Sequence, residues 1–171
     1  SHDELRYRAY HDALTGLPNR AMFMDALKRT QHRMERNGGV TSLLFIDLDR
    51  FKTVNDRLGH EAGDLLLQQV AQRIQDSVRE GDLVARLGGD EFVVMVEGQD
   101  DVQRLAEKIL SVLRPDYQLG DHAVHVTASI GVSCFPQDGT ELNGLLSAAD
   151  LAMYQAKTLG RNGVQFYARP Q

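Results

Sequence analysis

Two consecutive glycines, followed by two acids, interrupt an apolar stretch of this chain and constrain its fold more than any other feature. Gly88 and Gly89 permit backbone angles that other residues resist, and apolar segments lie on both sides of the interruption. We therefore predict a β-hairpin with Asp90 and Glu91 at its tip. Such a turn lets a phosphorylated ligand approach the backbone while the acids hold a divalent cation. An ordinary hairpin with solvated acids has the same sequence pattern.

A second acidic cluster lies in the segment 42–52, after the apolar run at residues 43–46. A short run without alternation is typical of a strand that is covered on both faces, and ligands bind at the carboxyl end of such strands. Asp47 and Asp49 are two residues apart, so they point to the same side of a continuing strand. Acids that end a buried strand are costly unless they face solvent or bind something. Together with the hairpin, they predict a metal site held by carboxylates of neighbouring strands.

The hydrophobic periodicity alternates between helical and strand patterns along the chain. It predicts helices over residues 19–36, 61–78, 101–113 and 142–159, and strands over 43–48, 124–134 and 164–167 beside the hairpin. In the second helix, the apolar residues predicted to face the core are Leu65, Leu66, Val70, Ile74 and Val78. Helices that alternate with strands around an antiparallel hairpin predict an α+β fold with a ferredoxin-like βαββαβ core, added helices and strands, and a mainly antiparallel central sheet.

Composition limits the class of protein independently of these motifs. A chain of 171 residues with 42% hydrophobic content can bury one core, which predicts a single domain. A formal charge of −5 argues against nonspecific nucleic-acid binding. The single Cys134 cannot form an internal disulfide, which fits a reducing cytosol. Without a signal peptide or an apolar stretch of about 20 residues, we expect a soluble cytoplasmic domain with no direct membrane contact, whose parent protein can still be membrane-anchored.

Seven motifs in the order of a known family make the sequence resemble the GGDEF-domain family, the diguanylate cyclases that make cyclic di-GMP. They lie at residues 12–20, 46–52, 55–64, 88–92, 129–132, 148–157 and 160–162. The resemblance implies a palm-like nucleotidyl cyclase fold. It also implies that two GTP molecules are condensed into cyclic di-GMP with release of two pyrophosphates. Each chain would hold one GTP, so the reaction would need a transient antiparallel homodimer.

The resemblance assigns the metal and catalytic residues to the two acidic clusters. Asp47, the backbone carbonyl of Leu48, and Asp90 would hold two Mg²⁺ ions, with Mn²⁺ as a substitute, and Glu91 would act nearby as ligand or proton acceptor. The general base is either Asp90 or Glu91. Asp49 is interpreted as structural. Metal-assisted attack of a 3′-hydroxyl on the α-phosphate needs such a carboxylate clamp.

The resemblance also implies a guanine pocket. Asn55 and Asp64 would pair with the base and His60 would lie beside them, since an amide and a carboxylate complement guanine. Turn and helix-cap roles are the alternative for Asn55 and Asp64.

For the phosphates of GTP, the family pattern indicates a set of cations and backbone amides. The side chains of Lys52, Lys157 and Arg161 and the amide of Phe51 would bind the triphosphate, and Gly88 and Gly89 would contact the substrate through their backbone. Lys157 and Arg161 also suit the end of a helix without any ligand.

Arg79 and Asp82 match the family's inhibitory site, where the product cyclic di-GMP binds. An Arg can fork to phosphate or stack on guanine, and an Asp can accept guanine hydrogens. Arg104 and Lys108 would complete the site, although relatives often carry Arg where Lys108 stands. The alternative is a solvated turn between a helix and a strand.

The ends of the chain are expected to connect it to other domains. We interpret residues 1–11 as residual expression sequence at Ser1 and His2 and a linker helix, 12–168 as the GGDEF domain, and 169–171 as the start of a C-terminal linker. The parent protein would carry an upstream sensory domain and, by resemblance, a downstream phosphodiesterase domain. A plain N-terminal helix and a noncatalytic module that binds GTP or cyclic di-GMP are the alternatives, and Asn55 and Asp64 disfavour another palm-like polymerase.

Overall fold

The computed structural model describes residues 1–98 and 101–168, so the predicted linker at 169–171 lies outside the described residues. The helices are α1 (His2–Tyr10), α2 (Arg20–Asn37), α3 (Phe51–Leu58), α4 (His60–Ser77), α5 (Val102–Leu113) and α6 (Leu142–Thr158). The strands are β1 (Thr41–Leu48), β2 (Leu83–Gly88), β3 (Glu91–Glu97), β4 (Tyr117–Leu119), β5 (His122–Val124), β6 (Ala128–Phe135) and β7 (Gly163–Phe166).

The central sheet has the strand order β2-β3-β1-β6-β7, and β1 lies at its centre. β1 pairs antiparallel with β3 and β6, β2 pairs antiparallel with β3, and β7 runs parallel to β6. The order of β1, α4, β2, β3, α5 and β6 is that of a ferredoxin-like βαββαβ core. The predicted fold class is therefore confirmed.

Helices cover both faces of the sheet and bury two hydrophobic clusters. One face packs Leu44 and Ile46 of β1 against α4 and α5, while the other packs Leu43 and Phe45 against α2 and α6. At Gly131 the backbone of α6 approaches the sheet so closely that a β-carbon would lie 2.1 Å from the carbonyl oxygen of Ala149. The clusters explain why residues 43–46 are apolar without alternation.

The structure differs from the predicted elements at several points, and one of them is the short strand β4, which was not predicted. The sequence pattern missed α3, because this helix has eight residues and buries only Val54. The strand predicted over 124–134 is divided, since β5 ends at Val124 and β6 begins at Ala128. Leu65 was wrongly predicted to face the core: it is 40% exposed, because the adjacent Leu66 and Leu67 fill the buried side of α4.

The N-terminal helix α1 lies at the surface, and none of its residues is buried. Ser1 caps this helix by accepting a hydrogen bond from the backbone amide of Glu4. Across residues 1–98 and 101–168, we find no helix with the length and apolar character needed to cross a bilayer.

Candidate active site

The two acidic clusters meet at one end of the sheet. In the β1–β3 register Asp47 lies opposite Glu91, and in the β2–β3 hairpin Gly88 lies opposite Glu91. The turn uses φ angles of 143° at Gly88 and 48° at Gly89, which side chains other than glycine rarely permit. The hairpin with acids at its tip, predicted from the sequence, is therefore confirmed. It brings Asp47, Asp90 and Glu91 close enough to interact.

The carboxylates at this end of the sheet repel one another. Burial and the neighbouring Asp90 raise the pKa of Asp47 to about 8, and Glu91 adds to the shift while Lys157 opposes it. The Oδ1 atom of Asp47 is buried and lacks a hydrogen-bond partner among the described residues. Burial, Asp150 and Asp90 raise the pKa of Glu91 as well, against an opposing effect of Arg20. The site is thus an electrostatically unfavourable cluster of acids that a cation would relieve.

The ammonium group of Lys157 on α6 provides the nearest positive charge. Its Nζ lies 3.8 Å from Asp47 Oδ2 and donates to the Leu48 carbonyl oxygen at 3.3 Å and to Asp49 Oδ1 at 3.4 Å. Asp47 and Asp49 therefore face the same cation, as their spacing predicts. Lys157 is one of the predicted phosphate ligands, and in this structure it contacts the acids instead.

Asp49 has a full set of hydrogen bonds and sits only 5% exposed behind the site. Its carboxylate accepts from the hydroxyl groups of Thr127 at 2.6 Å and Ser129 at 2.7 Å and from the backbone amide of Asn162 at 3.0 Å. These bonds outweigh burial and lower its pKa. The bonds agree with the structural role that the sequence analysis assigned to Asp49.

A divalent cation fits the donor set at the end of β1. Within residues 1–98 and 101–168, no three His, Cys, Asp or Glu side chains converge as a complete metal site. The predicted set differs from such a cluster because it includes the backbone carbonyl of Leu48, and oxygen donors of this mixed kind suit Mg²⁺. The unpartnered Asp47 Oδ1 and the raised pKa of Asp47 are the features expected of an acid that binds metal.

The predicted guanine ligands lie on α3 and α4, which pack against each other. Asn55 is within α3, and its Oδ1 is buried without a hydrogen-bond partner among the described residues. Asp64 and His60 are exposed on the first turns of α4. The alternative role of Asp64 as a helix cap is wrong, because α4 begins at His60 and its N-cap is Gly59.

The predicted phosphate ligands surround the same end of the sheet without all contacting it. Phe51 is the first residue of α3, and two residues separate it from the end of β1. The exposed Lys52 forms an ion pair with Asp56 at 2.9 Å rather than with an acid of the site. Arg161 follows α6 in a left-handed conformation with φ of 64°. Phe51, Lys52 and Arg161 therefore lie at the start of α3 or just after α6, and in this structure neither cation contacts the acids.

Sequence reasoning missed a group that holds the hairpin turn. The guanidinium of Arg86 donates to both carboxylate oxygens of Asp12, at 3.0 and 3.1 Å, and to the carbonyl oxygen of Gly89 at 2.9 Å. Asp12 also accepts from the amide and hydroxyl of Thr15. Asp12 lies in the motif at residues 12–20, but no local pattern relates it to an Arg 74 residues away. Arg86 therefore fixes the position of the turn relative to the N-terminal loop.

The four predicted inhibitory residues meet in a cleft of about 350 Å³. Arg79, Asp82, Arg104 and Lys108 all line it. The buried Asp82 accepts from the backbone amide of Arg79 at 3.1 Å and from its guanidinium at 3.4 Å, whereas the Arg79 side chain is 59% exposed. The cleft brings two acids, Asp82 and Asp101, together with three cations beside α5, so it offers positive charge for phosphates and carboxylates that can accept hydrogen bonds from a base.

Comparisons with known proteins agree on one family. The family model described as "Diguanylate cyclase, GGDEF domain" matches residues 9–163. The bifunctional diguanylate cyclase/cyclic di-GMP phosphodiesterase MucR of Pseudomonas aeruginosa is 46% identical over 166 residues, which are 96% of this chain and 24% of that protein. The chain thus spans about a quarter of that relative's length.

Solved structures agree with the sequence relatives. The GGDEF domain of TpbB (YfiN) from P. aeruginosa superposes with a TM-score of 0.89 at 41% identity, covering 92% of this chain and 94% of that one. The coiled coil and GGDEF domain of DgcB from Caulobacter crescentus, in complex with c-di-GMP, superposes with a TM-score of 0.89 at 28% identity, covering 96% and 89%.

Proposed function

Since the chain belongs to the GGDEF-domain family of diguanylate cyclases, we propose that it condenses two GTP molecules into cyclic di-GMP and two pyrophosphates. The observation that carries this proposal is the pairing of Asp47 with Glu91 across β1 and β3, beside Asp90. Three acids lie at one end of the central strands, and one buried carboxylate oxygen among them has no hydrogen-bond partner in the described residues. This arrangement suits a site that binds metal and triphosphate.

Asp47, the Leu48 carbonyl and Asp90 would hold Mg²⁺, or Mn²⁺ in its place. Bound there, the metal supplies charge stabilisation for the in-line displacement at the α-phosphorus. Asp90 or Glu91 accepts the proton of the attacking 3′-hydroxyl, and the raised pKa of Glu91 makes it a stronger proton acceptor than an ordinary carboxylate. When GTP binds, the ammonium group of Lys157 moves from the carboxylates to the phosphates, which Arg161 and Lys52 also contact. The negative charge of the phosphates then balances Lys157 in place of the carboxylates.

Asn55 and Asp64 read the base. The unpartnered Oδ1 of Asn55 is an acceptor that an N–H group of guanine can satisfy, and a base without that donor leaves it unpaired. His60 lies on the first turn of α4, close in sequence to Asp64. The backbone of Gly88, Gly89 and Phe51 leaves room for the substrate.

Each chain carries one such site, so the reaction requires two copies that face each other transiently. The relative MucR is described as both a cyclase and a phosphodiesterase, which supports a parent protein that also carries a phosphodiesterase domain and an upstream sensory domain. We assign the catalytic unit to residues 12–168 and the connecting helix to residues 1–11. We assign the domain to the cytoplasm, where GTP is available.

Product inhibition is the regulatory part of the proposal. The DgcB structure is described as a complex with c-di-GMP, and this supports a product site on the related fold. In this chain the cleft lined by Arg79, Asp82, Arg104 and Lys108 has the charge and size to bind the product.

Incubating the chain with GTP and Mg²⁺ and resolving the products by chromatography tests the activity. We expect cyclic di-GMP from the parent chain and none from Asp47→Ala or Asp90→Ala. The exposed Asp25 on α2 offers a matched control, and Asp25→Ala should leave synthesis unchanged. Near-parent synthesis by either site variant would refute the metal assignment. GTP binding without product by the folded parent chain would instead favour the noncatalytic regulatory module.

A further inference from the structure

Residues 159–162 connect α6 to β7, and we call them the α6–β7 segment. Within this segment Arg161 and Asn162 adopt left-handed backbone conformations, with φ angles of 64° and 45°. Such a conformation is more accessible to Asn than to Arg, and it persists where the surrounding structure over-determines it. The contacts that hold this segment therefore decide how Arg161, a predicted phosphate ligand, is presented.

The backbone of Asn162 is tied to the interior of the protein. Its amide donates a hydrogen bond to Asp49 Oδ2 at 3.0 Å. Asp49 is buried and also accepts from the hydroxyl groups of Thr127 and Ser129, so its carboxylate has a fixed position. The other oxygen of this carboxylate lies 3.4 Å from the Nζ of Lys157. The position of Asn162 is thus linked to the charged groups at the end of β1.

The side chain of Asn162 contacts a different element. Its Oδ1 accepts a hydrogen bond from the Nε of Arg114 at 2.9 Å, although the two residues are 48 positions apart. Arg114 directly follows α5. This helix is anchored in the core by its buried residues Ala106, Ile109, Leu110 and Leu113.

The turn that carries Arg114 is itself fixed by a second arginine. The guanidinium of Arg73 on α4 donates to three backbone carbonyl oxygens within residues 112–116, at distances of 2.7, 2.9 and 3.2 Å. It also lies over the ring of Tyr117, 3.6 Å from the ring centroid. Because the backbone on both sides of Arg114 is held in this way, its side chain extends from a rigid base towards Asn162.

We propose that Arg114 is a positioning residue that acts through Asn162 to fix the α6–β7 segment. The inference rests on the proposed function, in which Arg161 contacts the phosphates of GTP. Arg114 does not line the cleft beside α3 that Arg161 and Asn162 line, so its effect on substrate passes through Asn162. With Asn162 held by both its side chain and its amide, the adjacent Arg161 is already ordered before substrate binds. Less conformational entropy is then lost when its guanidinium contacts a phosphate.

Amide hydrogen exchange followed by NMR tests the positioning without any substrate. In the parent chain the Asn162 amide should exchange slowly, because it donates to a buried carboxylate. In Arg114→Met the side chain keeps a similar length but cannot donate, and we expect this amide to exchange about fivefold faster while the amides of β1 do not change. The matched control is Arg36→Met in the last turn of α2, which should leave the exchange rate unchanged. An unchanged rate in Arg114→Met would overturn the inference, whether or not the chain makes cyclic di-GMP.

Kinetics separate positioning from a general effect on folding. When Arg161 is less well ordered, KM for GTP should rise about fivefold with little change in kcat, since a binding contact is weakened. Loss of folded protein would instead lower kcat at an unchanged KM. Asn162→Gly tolerates the left-handed backbone but removes the acceptor of the hydrogen bond. Adding Arg114→Met to Asn162→Gly should therefore change neither KM nor the exchange rate further.

Two kinetic outcomes would contradict the inference. A further rise of KM in the double variant would overturn it, because Arg114 would then act independently of Asn162. Faster exchange in Arg114→Met with an unchanged KM would also overturn it, since the segment would not present Arg161 to substrate. If the parent chain makes no cyclic di-GMP, the proposed function fails, and the exchange rates alone decide whether Arg114 fixes the segment.

Discussion

The side-chain oxygen of Asn55 lies so close to Gly63 that a β-carbon at position 63 would come within 1.9 Å of Oδ1. The two residues belong to neighbouring helices, α3 and α4, and Gly63 is buried between them. Phe51 approaches the same point at 3.4 Å. The absence of a side chain at Gly63 therefore sets the position of the amide that is proposed to read guanine.

Gly63→Ala should impair the use of GTP without unfolding the domain. The added methyl group meets the end of a flexible side chain, so Asn55 moves and its acceptor is lost to the base. We expect kcat/KM for GTP to fall at least about tenfold, since an unpaired buried polar group costs about 1–3 kcal/mol. The melting temperature should change little, because Ala favours a helix over Gly by about 1 kcal/mol and offsets the strain.

Gly144→Ala is the matched control for this experiment. Gly144 is also helical, on α6, and a β-carbon there would meet no atom within 4 Å. This variant should keep parent kinetics and gain a little stability. If Gly63→Ala kept parent kinetics as well, Asn55 would not be a base ligand.

Binding of Mg²⁺ should depend on pH through Asp47. Burial and Asp90 raise the pKa of Asp47 to about 8. Its stabilising contribution, which comes from the protonated form, is complete below the unfolded pKa near 3.8 and is lost as pH rises through about 8. Because a metal needs the carboxylate, the rise in melting temperature on adding Mg²⁺ should be small at pH 6 and larger at pH 9.

Asp47→Asn provides the comparison, since the amide has a similar shape and does not titrate. Its melting temperature should respond weakly to Mg²⁺ at every pH. A parent protein that gained as much from Mg²⁺ at pH 6 as at pH 9 would show that Asp47 does not bind the metal.

Replacing Arg86 should loosen the catalytic turn. Arg86→Lys keeps the charge but cannot contact both Asp12 oxygens and the Gly89 carbonyl at once, and the side chain is only 14% exposed. We expect the rate of synthesis to fall at least about tenfold and stability to fall by about 2 kcal/mol. Rates at saturating GTP and urea unfolding measure the two effects.

Arg33→Lys is the control, because Arg33 also pairs with an acid, Glu97, at the far end of β3. It should leave the rate unchanged. The idea that Arg86 positions the turn fails if both variants slow synthesis equally.

The sequence predicted the elements with strong periodicity and missed those without it. The hairpin was predictable because Gly88 and Gly89 stand between apolar runs, and the two-sided burial of β1 was predictable because residues 43–46 are all apolar. The helix α3 was missed because its eight residues bury only Val54, and Asn and Asp within it are typical of turns.

The acids of the candidate site were predicted from the sequence, whereas the residues that hold the site in place were not. Asp47 and Asp90 lie in recognisable motifs, whereas the contact of Gly63 with Asn55 and the bonds of Arg86 to Asp12 depend on packing between distant segments. The direction of a side chain was not predictable either. Lys157 was predicted to bind phosphate, and in this structure it contacts Asp49 and the Leu48 carbonyl. Such relationships require the tertiary arrangement, because no local period encodes them.

Feedback by the product provides the last prediction. If cyclic di-GMP binds the cleft that contains Arg79 and Arg104, it should inhibit synthesis noncompetitively with GTP, since this cleft shares no residue with the predicted substrate site. Arg104→Ala is the cleaner variant, because the Arg79 side chain also contacts Asp82. It should raise the inhibitory concentration about tenfold with little change in the initial rate. The Arg36→Ala variant on α2, which lies outside this cleft, should be inhibited by cyclic di-GMP at the same concentration as the parent. Inhibition curves for Arg104→Ala and Arg79→Ala that coincide with the parent curve would mean that residues 79–82 form only a solvated turn.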